Sequence, residues 1–182
     1  LFGIFILIVV CGILIIFTPQ LINVITPGFS QDKKESVVLL TRIMFLSPII
    51  LGVSNIISSV LQVFRRFLIT SLSPIMYNLG IILGIIFFVP KLGISGLAWG
   101  VVFGSFLHFL IQISVLLKVG FKPKKIFDFS DIGFKKVVRL TIPRSIGLAA
   151  SQINFFVVTA IASTLSVGSV AVFNLSESLS RP

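Results

Sequence analysis

Apolar residues run through this chain in long blocks, not in the short alternating runs of a water-soluble domain. About 20 helical residues cross the roughly 30 Å hydrocarbon layer of a bilayer. Five blocks reach that length: Leu1 to Ile25, Val37 to Phe64, Phe67 to Val89, Ile94 to Leu117 and Val137 to Leu165. A sixth begins near Gly168. The polar breaks between them are PGFSQDKKES, the pair Arg65-Arg66, the turn Pro90 to Gly93, the long segment Lys118 to Lys136 and the uncharged turn Ser166 to Gly168. The pattern predicts an all-α fold, a polytopic bundle of transmembrane helices.

Two blocks are not uniformly apolar. Around the stretch Thr141 to Ser163, at roughly 100° per residue, Arg144, Gly147, Ser151, Gln152, Asn154, Thr159 and Ser163 share about half the circumference. Ile146, Ala150, Ile153, Val157 and Ile161 occupy the other half. A guanidinium near the centre of a membrane helix costs roughly 2.5 to 3.5 kcal/mol on insertion scales, so such a face lines protein or a wet cavity. The competing reading is that Arg144, near one end, snorkels to the headgroups. On the second block Ser47, Ser54, Asn55, Ser58, Ser59 and Gln62 fall within an arc of roughly 160°. Either they line a cavity or they join helices, where measured pairs contribute about 0.6 kcal/mol on average.

Other spacings speak of packing. Gly80 and Gly84 in one block, and Gly96, Gly100 and Gly104 in the next, recur every four residues and allow close helix approach. His108 and Gln112 continue that second stripe, which puts the single histidine against a neighbouring helix in an interhelical hydrogen bond rather than a proton relay. Pro48, Pro74 and Pro143 lie inside blocks, where each removes a backbone N–H and can seed a bend. Leu-Ser-Pro-Ile occurs twice, at Leu46 to Ile49 and Leu72 to Ile75, a weak internal repeat.

Composition agrees with a membrane protein: 56% of the 182 residues are hydrophobic and only 11% charged. The net charge of +10 sits in short segments beside the apolar blocks, which argues for headgroup contact and against nucleic acid. If successive helices alternate direction, Arg65-Arg66 and the lysines of 118 to 136 share one side, with Lys33, Lys34 and Lys91 on the other. The positive-inside rule makes the first side cytoplasmic. The long basic segment interleaves Phe121, Phe127, Phe129 and Phe134 with lysines, as an interfacial linker does. Cys11 is the single cysteine, so no internal disulfide or thiolate metal site is expected, and no cofactor. Asp32, Glu35, Asp128, Asp131 and Glu177 are the only carboxylates, and no phosphate loop, HExxH, GxSxG or CxxC is present, so an enzyme is not expected. Leu1 opens inside an apolar run without an initiator methionine, and the sequence is expected to be a fragment.

RIMFLSPI, PIMYNLGIILG, GISGLAWGVVFGSFLHFLIQ and PRSIGLAASQINFFVVTAIASTLSVGSVAVFNLSESL, in this order and spacing, resemble the MurJ/MviN family of lipid II flippases. The resemblance implies part of a two-lobe, MATE-like fold of about fourteen helices: the third to seventh and the start of the eighth. Residues 1–117 would belong to the N-terminal lobe as four helices, 118–136 to a cytoplasmic basic linker, and 137–182 to the start of the second lobe. It further implies alternating access for an undecaprenyl-pyrophosphate-linked peptidoglycan precursor across the bacterial inner membrane. Candidate cavity residues are then Arg144, Ser151, Gln152, Asn154 and Arg181, with Asn55, Ser58 and Gln62. Two positions depart from the family pattern. Ser178 stands where Tyr-Ala-x-Arg-Leu carries its arginine, and Val158 stands where Val-Asp-Thr carries a sodium-site acid. A multidrug or polysaccharide exporter of the same superfamily, or a structural membrane subunit, are the alternatives.

Overall fold

The computed structural model describes residues 2–120, 132–165 and 168–180. Among the described residues seven helices follow one another: α1 (Phe2–Ile25), α2 (Gln31–Met44), α3 (Leu46–Val63), α4 (Phe67–Leu92), α5 (Ser95–Lys118), α6 (Ile132–Ser163) and α7 (Ser169–Ser180). There is no strand among the described residues. Five stretches of the described residues are long and apolar enough to cross a membrane: Gly3–Ile25, Gln31–Val63, Phe67–Leu92, Ser95–Lys118 and Lys135–Ser163. They coincide with the five apolar blocks. The interfacial linker expected over 118–136 lies mostly outside the described residues.

The second block differs from a single rod, because a break at Phe45 separates α2 from α3. Pro48 explains it: the ring has no N–H for the carbonyl of Met44 and crowds it sterically. Before the break α2 opens on QDKKES, with Asp32 in its first turn and Arg42 in its last, both favourable to the helix dipole. Pro19, Pro74 and Pro143, by contrast, sit within unbroken helices.

The chain gathers into two compact units. The first comprises Leu1–Thr18 and Val38–Ile126. Its centre is the antiparallel pair α4 and α5, joined at Gly93, whose φ of 58° suits a residue without a Cβ. A Cβ on Gly80 would collide with the backbone of Gly104, and one on Gly84 with that of Gly100. The glycine spacing therefore lets two backbones touch, which a membrane helix pair needs because lipid supplies no hydrophobic drive between them. Across α5 from this seam, Ile57 and Leu61 of α3 meet Leu116 in a small apolar core. The Leu7 side chain of α1 covers Gly52, and Arg42 Nε donates to the Ile15 carbonyl at 3.2 Å.

The second unit comprises Pro19–Val37 and Phe127–Pro182. Here α6 and α7 form a hairpin, with the rings of Phe155 and Phe173 5.6 Å apart. The Gly28 N–H donates to Ser163 Oγ at 3.3 Å, so the α1–α2 turn sits against the end of α6. A Cβ at position 28 would strike the Ser163 carbonyl.

Outside these seams the helices present bare hydrocarbon: Val63 is 81% exposed and Leu68 78%. In water that surface would drive aggregation, whereas a bilayer tolerates it.

Candidate polar sites within the helices

Polar residues on α3 divide into two sets. Ser47 shares a buried hydrogen bond with Ser105 of α5. Ser54 is fully buried, and its hydroxyl lies 2.7 Å from His108 Nδ1. These are interhelical bonds, and the expected role of the single histidine is the one observed. The second set stays outside the seam: Asn55, Ser59 and Gln62 are exposed and Ser58 is half-buried. Ser59 returns its hydroxyl to the Asn55 carbonyl at 3.0 Å, leaving the two amides of Asn55 and Gln62 as the prominent groups of this strip.

One turn beyond His108, Gln112 is completely buried, and neither its Nε2 nor its Oε1 has a hydrogen-bond partner. An unmet amide in an apolar core costs about 1 to 3 kcal/mol. Its position one turn on from His108, like Ser58 one turn on from Ser54, was readable in the sequence. That it would be left unpaired was not.

On α6 the polar face also divides. Arg144, Gln152 and Asn154 are exposed. Thr159 and Ser163 are buried; Ser163 donates to the Ala160 carbonyl at 2.7 Å and accepts from Gly28. Thr159 Oγ1 is buried without a partner. Of the other candidates, the Ser151 side chain and Arg181 lie outside the described residues. The α3 candidates belong to the first unit and the α6 candidates to the second.

Sequence reasoning passed over two features of the second unit. A cavity of about 390 Å³ lies under the Gly28–Ser163 contact, with Lys33 and Asn174 among its lining residues. A smaller one, about 260 Å³, lies between α6 and α7 and brings Gln152 together with Phe155, Asn174, Glu177 and Ser178. The helical spacing of Asn174, Glu177 and Ser178 was a usable signal, but pairing them with Gln152 requires the hairpin register. No group of three or more His, Cys, Asp or Glu side chains placed to hold a metal occurs among the described residues.

Glycine-sealed helices of membrane length, with polar side chains left uncovered on two of them, define a polytopic α-helical membrane protein. Comparison with known proteins specifies it. The family model for the lipid II flippase MurJ matches residues 1–181. A probable lipid II flippase MurJ of Borreliella burgdorferi is 38% identical over 135 residues, covering 72% of this chain and 26% of that protein. One from Buchnera aphidicola of Schizaphis graminum is 32% identical over 161 residues, covering 86% and 31%. The lipid II flippase MurJ of Burkholderia cenocepacia is 29% identical over 148 residues, covering 78% and 29%. The chain belongs to the lipid II flippase MurJ family, and it is a multi-pass protein of the bacterial inner membrane. It spans between about a quarter and a third of the length of these relatives.

Proposed function

We propose that this chain forms part of a flippase that carries an undecaprenyl-pyrophosphate-linked peptidoglycan precursor across the inner membrane by alternating access. Residues 1–117 then supply four helices of an N-terminal lobe, 118–136 the cytoplasmic linker that meets anionic headgroups, and 137–182 the opening of the second lobe. The observation that carries the reading is the exposed trio Arg144, Gln152 and Asn154 on a helix of membrane length. Hydrocarbon penalises all three, whereas a water-filled cavity receiving a pyrophosphate would use them, since a guanidinium holds phosphate oxygens through paired charge-assisted hydrogen bonds. Asn55, Ser58 and Gln62 fill the same role from α3, with Ser151 and Arg181 completing the set. The cationic member favours an anionic lipid over the cargo of a multidrug exporter. The reading involves transport without covalent chemistry, and neither nucleic acid nor a cofactor takes part.

The Gly28–Ser163 contact supports alternating access as well. It joins segments that this assignment puts in different lobes, at helix ends that charge places on the outer side, and so has the character of an outer closure.

The test uses the full-length protein in proteoliposomes with a fluorescent lipid-linked precursor. Cysteines replace Phe29 and Ala171, which line one cavity, in a background without Cys11. A short bismaleimide across that pair should stop flipping that the unlinked protein performs. Absence of flipping by the intact, folded protein contradicts the transport reading; undiminished flipping after cross-linking contradicts the closure.

A further inference from the structure

Arg42 is a cation inside the second apolar block that none of the groups discussed so far accounts for. It is exposed, in the last turn of α2, and lies about two turns, roughly 10 Å, beyond Glu35, the last charged residue before it. Leu39 and Met44 on the same helix, and Ile16 on α1, are exposed apolar side chains. A guanidinium in such surroundings is costly, and where it does not snorkel it is by default a functional site. This one turns sideways instead. Its Nε is held 3.2 Å from the carbonyl of Ile15, which lies about 15 Å before the end of α1 at Ile25.

That carbonyl is free for a covalent reason. In an α-helix the Ile15 carbonyl accepts the N–H of residue 19, and residue 19 is a proline, which has none. Arg42 supplies the bond that Pro19 removes, and Ile15 and Arg42 belong to the same compact unit. A neutral donor would meet that need, as Thr18 does beside the proline by giving its hydroxyl to the Leu14 carbonyl at 2.7 Å. The charge is more than the carbonyl requires. A guanidinium carries five N–H donors in a fixed fork, and with Nε taken the two terminal nitrogens keep the rest. Among the described residues those meet no acceptor. Anchoring through Nε also fixes the plane of the group, so its terminal N–H pair is oriented in advance for two oxygens of one anion. On a lipid-linked cargo the phosphate is bonded directly to the hydrocarbon tail, and of the anionic groups it is the one that reaches deepest.

We propose that the terminal nitrogens of Arg42 form a phosphate subsite for the translocated lipid, held in place by the carbonyl that Pro19 leaves free. The proposal rests on the flippase reading above and deepens it: the first unit contributes a guanidinium of its own to the pyrophosphate, in addition to the one that α6 carries.

The two roles of Arg42 separate by substitution, because Nε2 of a glutamine stands as many bonds from the backbone as Nε of arginine. Arg42→Gln can keep the bond to Ile15 while removing the charge and the terminal pair. Pro19→Ala restores the N–H of residue 19, so that Arg42→Ala combined with Pro19→Ala leaves no carbonyl unmet. Flipping of a fluorescent polyprenyl-pyrophosphate precursor would be followed in proteoliposomes of the full-length protein as its mole fraction is varied. Arg42→Gln and the double variant should each raise the half-saturating mole fraction about tenfold at nearly unchanged maximal rate, while Pro19→Ala alone matches wild type. Wild-type half-saturation in either folded variant overturns the subsite. A fall in maximal rate with half-saturation unchanged assigns the guanidinium to a phosphate of the bilayer's own lipids and also overturns it. If Arg42→Gln does not fold, the double variant decides, and failure of both to fold makes Arg42 a structural residue only. Absence of flipping by the folded wild type removes the flippase reading, and the subsite with it.

Discussion

The α3–α5 seam and the α6 face contain the same kinds of residue and use them oppositely. In the seam Ser47, Ser54, Ser105 and His108 are buried and bonded across helices. On α6 Arg144, Gln152 and Asn154 stand exposed, although their cost in hydrocarbon is larger than that of a hydroxyl. Polarity inside a membrane helix is therefore not one signal. A side chain that finds a partner on the next helix is structural, and one left uncovered needs water or a ligand. The α3 stripe holds both kinds within a few turns, with Ser54 facing the histidine and the adjacent Asn55 facing away.

The largest expected effect sharpens the structural half of this comparison. At Gly84 the atom a Cβ would strike is backbone of Gly100, which cannot swing aside. Gly84→Leu should separate α4 from α5 and cost at least the upper end of the roughly 1 to 3 kcal/mol typical of overpacking. Size-exclusion profiles in detergent should show little folded protein; a monodisperse variant with unchanged thermal stability would break the seam as described.

Arg144 tests the other half. Arg144→Ala should leave folding nearly unchanged, because the side chain is exposed, while lowering flipping about tenfold, the scale of losing a charge-assisted phosphate contact. Arg144→Lys should recover only part, since a point charge cannot make the bidentate contact. Full recovery by lysine at matched expression would mean that the residue merely snorkels.

The smallest effect belongs to Ser54→Ala, which leaves Nδ1 of His108 without its partner at 2.7 Å. Interhelical hydrogen bonds in membranes average about 0.6 kcal/mol and reach about 1.7. The variant should lose stability in that range and keep its activity per folded molecule. A selective loss of activity would move Ser54 from the structural set to the functional one.

Much of the fold could be read from residue order alone, because span length and glycine spacing are local signals: Gly80, Gly84, Gly100 and Gly104 meet as their four-residue recurrence requires. His108 was likewise placed by the stripe on its own helix. The break at Phe45 was less evident, since Pro48, Pro74 and Pro143 look alike in sequence and only the first coincides with a helix end. Sorting Ser54 from Asn55 depends on which residue of α5 lies opposite, and bringing Gln152 and Asn174 to one cavity depends on hairpin register. Periodicity on one helix contains neither.

Accessibility to a charged thiol reagent tests the division most directly. In the full-length protein without Cys11, single cysteines would replace Ser47, Ser54, Gln62 and Gln152, and a membrane-impermeant sulfonated maleimide would be added to membranes open on both sides. Gln62→Cys and Gln152→Cys should label rapidly because water reaches them, while Ser47→Cys and Ser54→Cys stay unlabelled until the protein is denatured. If Gln62→Cys and Gln152→Cys resist the reagent as completely as the two serine positions, the exposed amides face lipid or another helix, and the account of a wet polar face is wrong.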